Sequence, residues 1–571
     1  MPLPRAQSYP QTQEYARART FRQLALVVAF TVLVVALVAL SALADVTGFE
    51  STRAAKTRYA VVIDAGSTGT RVHVFTFSRS AFASGGEALR DETFRSIEPG
   101  LKSYGGDAEA AATSIEALID VAKGVVPESA RRETPFSVRA TAGLRLMPEG
   151  REAADAIVEA VRRKIANAGF HPSSASFVSI MDGEDEGAHA WVSVNYLLGN
   201  LGGAPEKTVT VVDLGGGSTQ IAYAVGGGAA KDAPKGYVRD IEAASTTYRT
   251  YVHSFKGYGI VAVRPKIFSV GKNKDGSHPC LPNAFADSCE KDCYGLEPGE
   301  TYAAIGSSDG SDFTRCLLAT TQALEGNCAK APCSFAGAWT TPRKTPLFVM
   351  SFIVERAIQG GAVPPPRRPT DIATMTPRDV KRAALRACST PAAELEARFP
   401  VAARDAVDVN YLCLDLVYVY ALLTVGHGAA DDETIRALDK IRYRRRDVEA
   451  SWALGDGIAA AAAARAPKAT EAIRPTRRRR HQLHQIYVLS IYYLSVSISR
   501  DARPPSPRTS PRTPRGRVRR AYPSAPPTPS GPPASKSVRR TRETARRRDL
   551  SSTRASLAGR AASATRAPRI P

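Results

Sequence analysis

Two glycine-rich stretches constrain this chain more than anything else in it: DAGSTGTR from Asp64 to Arg71 and DLGGGSTQ from Asp213 to Gln220. Each follows a short apolar run, Tyr59 to Ile63 and Thr208 to Val212, and precedes another, Val72 to Phe77 and Ile221 to Val225. Such a pattern predicts a β-hairpin closed by a glycine-rich turn in both places. Glycine admits positive φ and close approach, so successive backbone N–H groups can converge on an anion while Ser and Thr hydroxyls add donors. Phosphate is the anion such turns suit. A carboxylate in the same nest would repel it, so Asp64 and Asp213 are read as holding a hard divalent cation, directly or through water. One turn of this kind is commonplace. Two, separated by 149 residues (213 − 64), imply related half-domains whose turns face each other across a phosphate chain.

The net charge of +22 belongs to the end of the chain. From Arg474 onward there are 24 Lys and Arg against 3 Asp and Glu, a local charge of +21, so what precedes is nearly neutral and offers no electrostatic footprint for nucleic acid. The tail, 474–571, is rich in Arg, Pro and Ser and predicts disorder. It reads either as a polyanion- or membrane-surface segment or as translated non-coding sequence. Its apolar run from Ile486 to Ile498 has 13 residues, short for a bilayer span.

At the other end, a polar leader (1–22) with four arginines precedes an apolar segment (23–45) whose residues Leu24 to Ala44 carry no charge over 21 positions. That length crosses a bilayer, and an uncleaved signal anchor is preferred to a cleaved signal ending near Ala42-Leu43-Ala44. All eight cysteines fall between Cys280 and Cys413. An even number beyond a membrane segment favours disulfides in an oxidising compartment, without revealing which pairs form. A zinc reading of Cys289 with Cys293 and of Cys328 with Cys333 is the minor alternative.

Between these ends the pattern is α/β. Helices are predicted from Asp107 to Lys123 and from Arg151 to Ala168, and a buried strand from Phe136 runs into a small-residue turn at Thr141-Ala142-Gly143. The stretch from Asp182 to Glu186 packs four carboxylates into five residues ahead of an apolar helix. Acid at a helix start is ordinarily capping and dipole compensation. Near two phosphate turns it is also where a hydrolase would place a general base. The apolar run from Tyr411 to Gly426 contains Asp415 and reads as a buried helix rather than a membrane span. No GxxxxGK[ST] sequence is present, which sets P-loop enzymes aside.

Six motifs, in this order and spacing, resemble the apyrase family of nucleoside triphosphate diphosphohydrolases: DAGSTGTR from Asp64, ATAGLR from Ala140, GEDEGAHAWVSVNYLLG from Gly183, DLGGGSTQ from Asp213, CSFAGAW from Cys333 and SWALG from Ser451. The resemblance covers Tyr59 to about Arg465. It implies an α/β protein of two ribonuclease-H-like lobes, as in actin and sugar kinases, with the active site in the cleft between them. Lobe I would be 57–200 with a return helix in 445–465, and lobe II the cysteine-rich 201–444. The implied activity is hydrolysis of nucleoside tri- and diphosphates to the monophosphate with Ca²⁺ or Mg²⁺, by water and without a phosphoenzyme.

Carried over position by position, the resemblance makes Glu186 the catalytic base, with Thr141 and Gln220 holding the attacking water. Ser67, Thr68, Gly69, Gly216, Gly217 and Ser218 would cradle the phosphates, Asp64 and Asp213 would position the metal through water, and Trp339 would lie against the nucleobase. Arg71 and Arg145 would either neutralise phosphate or brace the turns by pairing with carboxylates. His189, His427 and the pair Asp456-Gly457 depart from the family's usual residues. The implied setting is a single-pass type II membrane protein facing the Golgi lumen or the cell exterior, with a nucleotide as partner. No nucleic-acid partner is expected, and no oligomeric state is indicated. The rival readings are a polyphosphate phosphatase of the same superfold and a non-catalytic nucleotide-binding or adhesion protein.

Overall fold

The structure is a computed structural model that describes residues 57–463, apart from 80–86, 172, 227, 229–230, 292, 298 and 401–407. The chain divides into two units, Met1–Arg474 and Pro475–Pro571, and every described residue belongs to the first. The leader, anchor and basic tail read from the sequence therefore lie outside the described residues.

Both predicted hairpins form, and each nucleates a sheet. In the first lobe β1 (Arg58–Ala65), β2 (Thr70–Arg79), β3 (Glu87–Ile97), β4 (Phe136–Ala140) and β5 (Val178–Ile180) lie in the order β3-β2-β1-β4-β5. β1 runs antiparallel to β2 and parallel to β4. In the second lobe the strands are β6 (Thr210–Leu214), β7 (Ser218–Ala224), β8 (Val238–Ala243), β9 (Thr246–Lys256), β10 (Ala286–Cys289), β11 (Tyr302–Ile305), β12 (Leu347–Ser351), β13 (Ala373–Met375) and β14 (Ile435–Ala437). Its main sheet has the order β13-β14-β12-β6-β7-β9-β8, with β10 and β11 paired separately. Stripped of edge strands β8 and β13, that order is β9-β7-β6-β12-β14, which repeats the first lobe with the same strand senses. The register repeats as well: Asp64 faces Arg71 across the first hairpin, and Asp213 faces Gln220 across the second. The duplication inferred from two turns is thus a duplication of whole sheets.

β1 reads as a continuous apolar run because it is central and covered on both faces. Val61, Ile63 and Ala65 pack with Leu118 and Ile157 of the outer helices, whereas Ala60 and Val62 pack with Trp191 and Leu454. The second cluster also takes in Val211, Ala222 and Met350 of the other sheet. Two helices, Gly183–Leu197 and Ala453–Ala463, therefore form a shared layer between the sheets. A hairpin of β15 (Lys440–Tyr443) and β16 (Arg446–Glu449) carries the chain back to the first lobe.

The Tyr411–Gly426 run is a core helix of the second lobe. Leu412–Ala421 is buried throughout and continues as a π turn through Leu422–Gly426. Val409–Gly426 is apolar and long enough to cross a membrane, yet 78% of it is buried inside the lobe. Asp415, 1% exposed, is satisfied by Arg264 at 2.8 Å and Arg356 at 3.0 Å. The cysteines pair as Cys280–Cys316, Cys289–Cys293, Cys328–Cys333 and Cys388–Cys413. With each sulfur bonded to another, the zinc alternative is overturned.

Candidate active site

The two turns touch. A Cβ added at Gly216 would lie 2.3 Å from Ser67 Oγ, so the bare glycine lets the second turn meet the first with Ser67 in this rotamer. Behind the second turn, the carbonyls of Gly215, Gly216 and Gly217 accept from Ile260, Val261 and Gly257 at 2.9, 3.0 and 2.9 Å. With its carbonyls held there, the turn has amides to offer a ligand. Ser218 is buried and Thr68 exposed, so the cradle spans the depth of the cleft. Ser67, Thr68, Gly216, Gly217 and Ser218 line one cavity with Asp64, Asp213, Thr141 and Glu186. Gly69 is held aside, where an added Cβ would lie 3.0 Å from Ile97 O.

Glu186 lies in the first turn of the helix Gly183–Leu197, capped by the Asp182 side chain, which accepts from Glu184 N at 2.9 Å. Gly183 and Gly187 let the helix start pack closely on Ser254, Val252 and Gln220. The Glu186 side chain thereby enters the cleft, 8% exposed. Arg145 Nη2 donates to its Oε2 at 2.5 Å and Gln220 Nε2 at 3.3 Å. The same two residues reach Ser218 Oγ, at 3.2 and 2.7 Å. Burial pushes the carboxyl up to about 7; the Arg145 charge opposes the shift, and Asp213 and Asp64 add to it. Its acidic neighbours go elsewhere. Asp185 pairs with Arg239 at 2.8 Å on the surface, and Glu184 lies 3.7 Å from His253. Glu184 is also pushed up to about 7, by burial and by Asp182, but it lies outside the cavity lining.

The aspartates share the cavity floor. Burial raises Asp64, against the pull of Arg71, and pushes Asp213 up to about 6. The Ser351 hydroxyl bonds Asp213 and tempers that shift, while Asp64 adds to it. Asp64 Oδ2 lies 3.9 Å from Arg71, and its Oδ1 is buried without a hydrogen-bond partner among the described residues. Two like charges forced together out of water, one with an orphaned oxygen, fit a hard cation that would stabilise both as carboxylates. Among the described residues no three His, Cys, Asp or Glu side chains are grouped to hold a metal ion, so water would complete the coordination of any cation there.

Arg71 and Arg145 each lie against a carboxylate of the cleft, Asp64 at 3.9 Å and Glu186 at 2.5 Å. Trp339 is not brought to the others. It is 4% exposed in the second-lobe core, where its indole packs on Tyr237 and Tyr251 and its carbonyl accepts from Tyr251 Oη at 2.8 Å. Two of the departures prove to be one feature: His189 Nε2 lies 3.8 Å from Asp456, which also binds Ser137 at 2.5 Å and Arg139 at 3.1 Å. His427 is half-buried beside Phe335 and Phe255, and desolvation of its ring lowers its pKa to about 3.

Three residues at the cleft escaped sequence reasoning. Ser351 ends β12 with φ 58°, a left-handed strain for a non-glycine residue beside Asp213. Tyr294, next to Cys293, crosses from the second lobe so that an added Cβ at Gly217 would meet its hydroxyl at 2.2 Å; its ring lies under Lys102 at 3.5 Å. His73 lines the cavity from β2, two residues beyond Arg71 and hence on the same face of the strand. For His73 that spacing was a usable signal. For the other two none was available, because their partners are remote in sequence.

Known proteins agree with this architecture. Residues 50–474 match the family model described as the GDA1/CD39 (nucleoside phosphatase) family. A protein named probable apyrase 1 from Oryza sativa subsp. japonica is 37% identical over 419 residues, 71% of this chain and 82% of that protein. A guanosine-diphosphatase of Schizosaccharomyces pombe is 34% identical over 431 residues, covering 70% and 73% respectively. The crystal structure of a Neospora caninum nucleoside triphosphate hydrolase aligns with a TM-score of 0.50 at 15% identity, covering 75% of this chain and 95% of the other, and so shares the fold. The chain belongs to the GDA1/CD39 family of nucleoside phosphatases.

Proposed function

We propose that the protein hydrolyses nucleoside tri- and diphosphates to the monophosphate with a divalent cation, Ca²⁺ or Mg²⁺, through water activated by Glu186. The observation that carries this reading is the placement of a buried carboxylate of raised pKa beside both phosphate turns, hydrogen-bonded to Arg145 and Gln220. The terminal phosphoryl group would sit between Ser67-Thr68 and Gly216-Gly217-Ser218, with Thr141 and Gln220 holding a water in line. Glu186 takes a proton from that water as its oxygen bonds phosphorus, and the bridging oxygen leaves with its electron pair on the shortened nucleotide. Phosphoryl transfer needs positioning and charge neutralisation more than covalent help. A cation held by Asp64 and Asp213 through water would supply part of that neutralisation.

Four disulfides support residence in an oxidising compartment, consistent with a type II membrane protein of the Golgi lumen or cell surface. The test is phosphate release by the full chain from nucleoside tri-, di- and monophosphates and from polyphosphate, with Ca²⁺, Mg²⁺ or chelator, alongside Glu186→Ala. Cation-dependent release that stops at the monophosphate and collapses in the variant is the expected outcome. Release from polyphosphate alone, or nucleotide binding without turnover, would overturn it.

A further inference from the structure

His73 is a buried polar group of the cleft that the mechanism above does not use. It projects from β2 with its side chain 1% exposed, and it lines the same cavity as Asp64 and Asp213. Phe75 stacks on the imidazole at 5.8 Å between centroids and Phe94 tilts against it at 5.1 Å, so the ring is gripped on two sides. Its Nδ1 lies 2.7 Å from Glu92 Oε1. Its Nε2 is buried with no hydrogen-bond partner among the described residues, as is Oδ1 of Asp64, a residue of the same cavity lining. A ring held this firmly with one nitrogen unsatisfied is costly to keep unless something docks there.

The chemistry of Nε2 follows from Glu92. That carboxylate also accepts from the Glu449 backbone N–H through Oε2 at 2.8 Å. A carboxylate accepting on both oxygens draws the imidazole proton onto Nδ1. In the neutral ring Nε2 is then a bare lone pair on a residue that lines the cavity. A hard cation prefers oxygen ligands, so what a lone pair beside an aspartate-held cation meets is a proton of one of its waters.

We propose that His73, oriented by Glu92, is a positioning residue for the cation: its Nε2 accepts a hydrogen bond from a water bound to the ion held by Asp64 and Asp213. The inference rests on the proposed cation-dependent function and adds a residue to it. Glu92 acts one step further out, as the group that sets the tautomer.

The test is cation binding rather than turnover. Ca²⁺ and Mg²⁺ are titrated calorimetrically into the full-length protein without nucleotide, for wild type, His73→Phe, His73→Gln, Glu92→Gln and Asp64→Asn. Loss of an outer-shell partner of this kind weakens metal affinity by about 10- to 100-fold, and that is the expected loss for His73→Phe; His73→Gln, which keeps an acceptor, should recover part of it. Glu92→Gln is the discriminating variant. Its carbonyl can still accept from Glu449 N–H, while its amide donates to Nδ1 and drives the proton to Nε2, so it should weaken the cation as much as His73→Phe. The ¹⁵N shifts of His73 should report the change of tautomer. Wild-type cation affinity in His73→Phe and Glu92→Gln, with Asp64→Asn impaired, would overturn the role of His73 alone. A wild-type protein that binds neither cation without nucleotide would overturn this role, whereas the cation-dependent reading stands or falls on phosphate release with cation or chelator. Should His73→Phe fail to fold, Glu92→Gln with its tautomer signature decides.

Discussion

Glu186 illustrates how one side chain's surroundings set both its chemistry and its cost. Burial raises its pKa from the ordinary 4.5 to about 7, which suits a base that must exchange protons near neutrality. The protonated form is the one the fold favours. Its stabilising contribution is therefore fully present below 4.5 and lost as pH rises through about 7. Glu186→Gln, permanently neutral, should lower kcat by roughly 10²- to 10⁴-fold yet raise the melting temperature of the ligand-free protein at pH 8 and leave it little changed at pH 4.5. Equal melting temperatures at both pH values would contradict the burial argument. Arg145 acts in the opposite sense, since its charge holds the Glu186 pKa down. With Arg145→Gln, burial goes unopposed, and the acidic limb of kcat/KM should move to higher pH; a limb that stays in place would assign it to another group.

At the scale of elements, the site exists because two hairpins can touch. A Cβ at Gly216 would lie 2.3 Å from Ser67 Oγ. Gly216→Ala must push the turns apart or rotate Ser67, and a misplacement on that scale costs about 10²-fold in rate. We expect kcat/KM to fall by that order with the melting temperature almost unchanged; a large loss of stability with rate retained would mean that the contact serves folding. The Leu412–Ala421 helix behaves differently. Its Asp415 answers two buried arginines, Arg264 and Arg356, so Asp415→Leu strands both charges. Removing one partner of a buried ion cluster costs about 3–5 kcal/mol, which urea denaturation of the variant should read directly.

For the whole molecule, the disulfides divide by what they close. Cys280–Cys316 links residues 36 apart, whereas Cys328–Cys333 spans 5. In the chain-entropy picture the longer loop stabilises by about 4 kcal/mol and the shorter by about 2. Replacing each pair by alanine should lower the denaturation midpoint more for the first; the reverse order would mean that the short bridge holds native contacts beyond its loop entropy. All four lie in the second lobe, and the first lobe, without a disulfide, packs around one apolar cluster of its own and a second shared with the other sheet.

The sequence by itself determined what is local and periodic. Both hairpins, the central strands, the helix over Arg151–Ala166 and the core character of Tyr411–Gly426 follow from runs of apolar residues, glycines and one compensated aspartate. The matched motifs also named Glu186, Asp64 and Asp213, which the tertiary structure gathers around one cavity. What the fold alone decided are contacts between residues far apart in sequence: Ser351 on Asp213, Tyr294 over Gly217, Asp456 beside His189 and Glu92 behind His73. It also sent Trp339 to the second-lobe core. Local spacing determines which face a side chain takes, but its neighbour across a cleft is set by how two sheets and their shared helices pack, and that is a property of the whole chain.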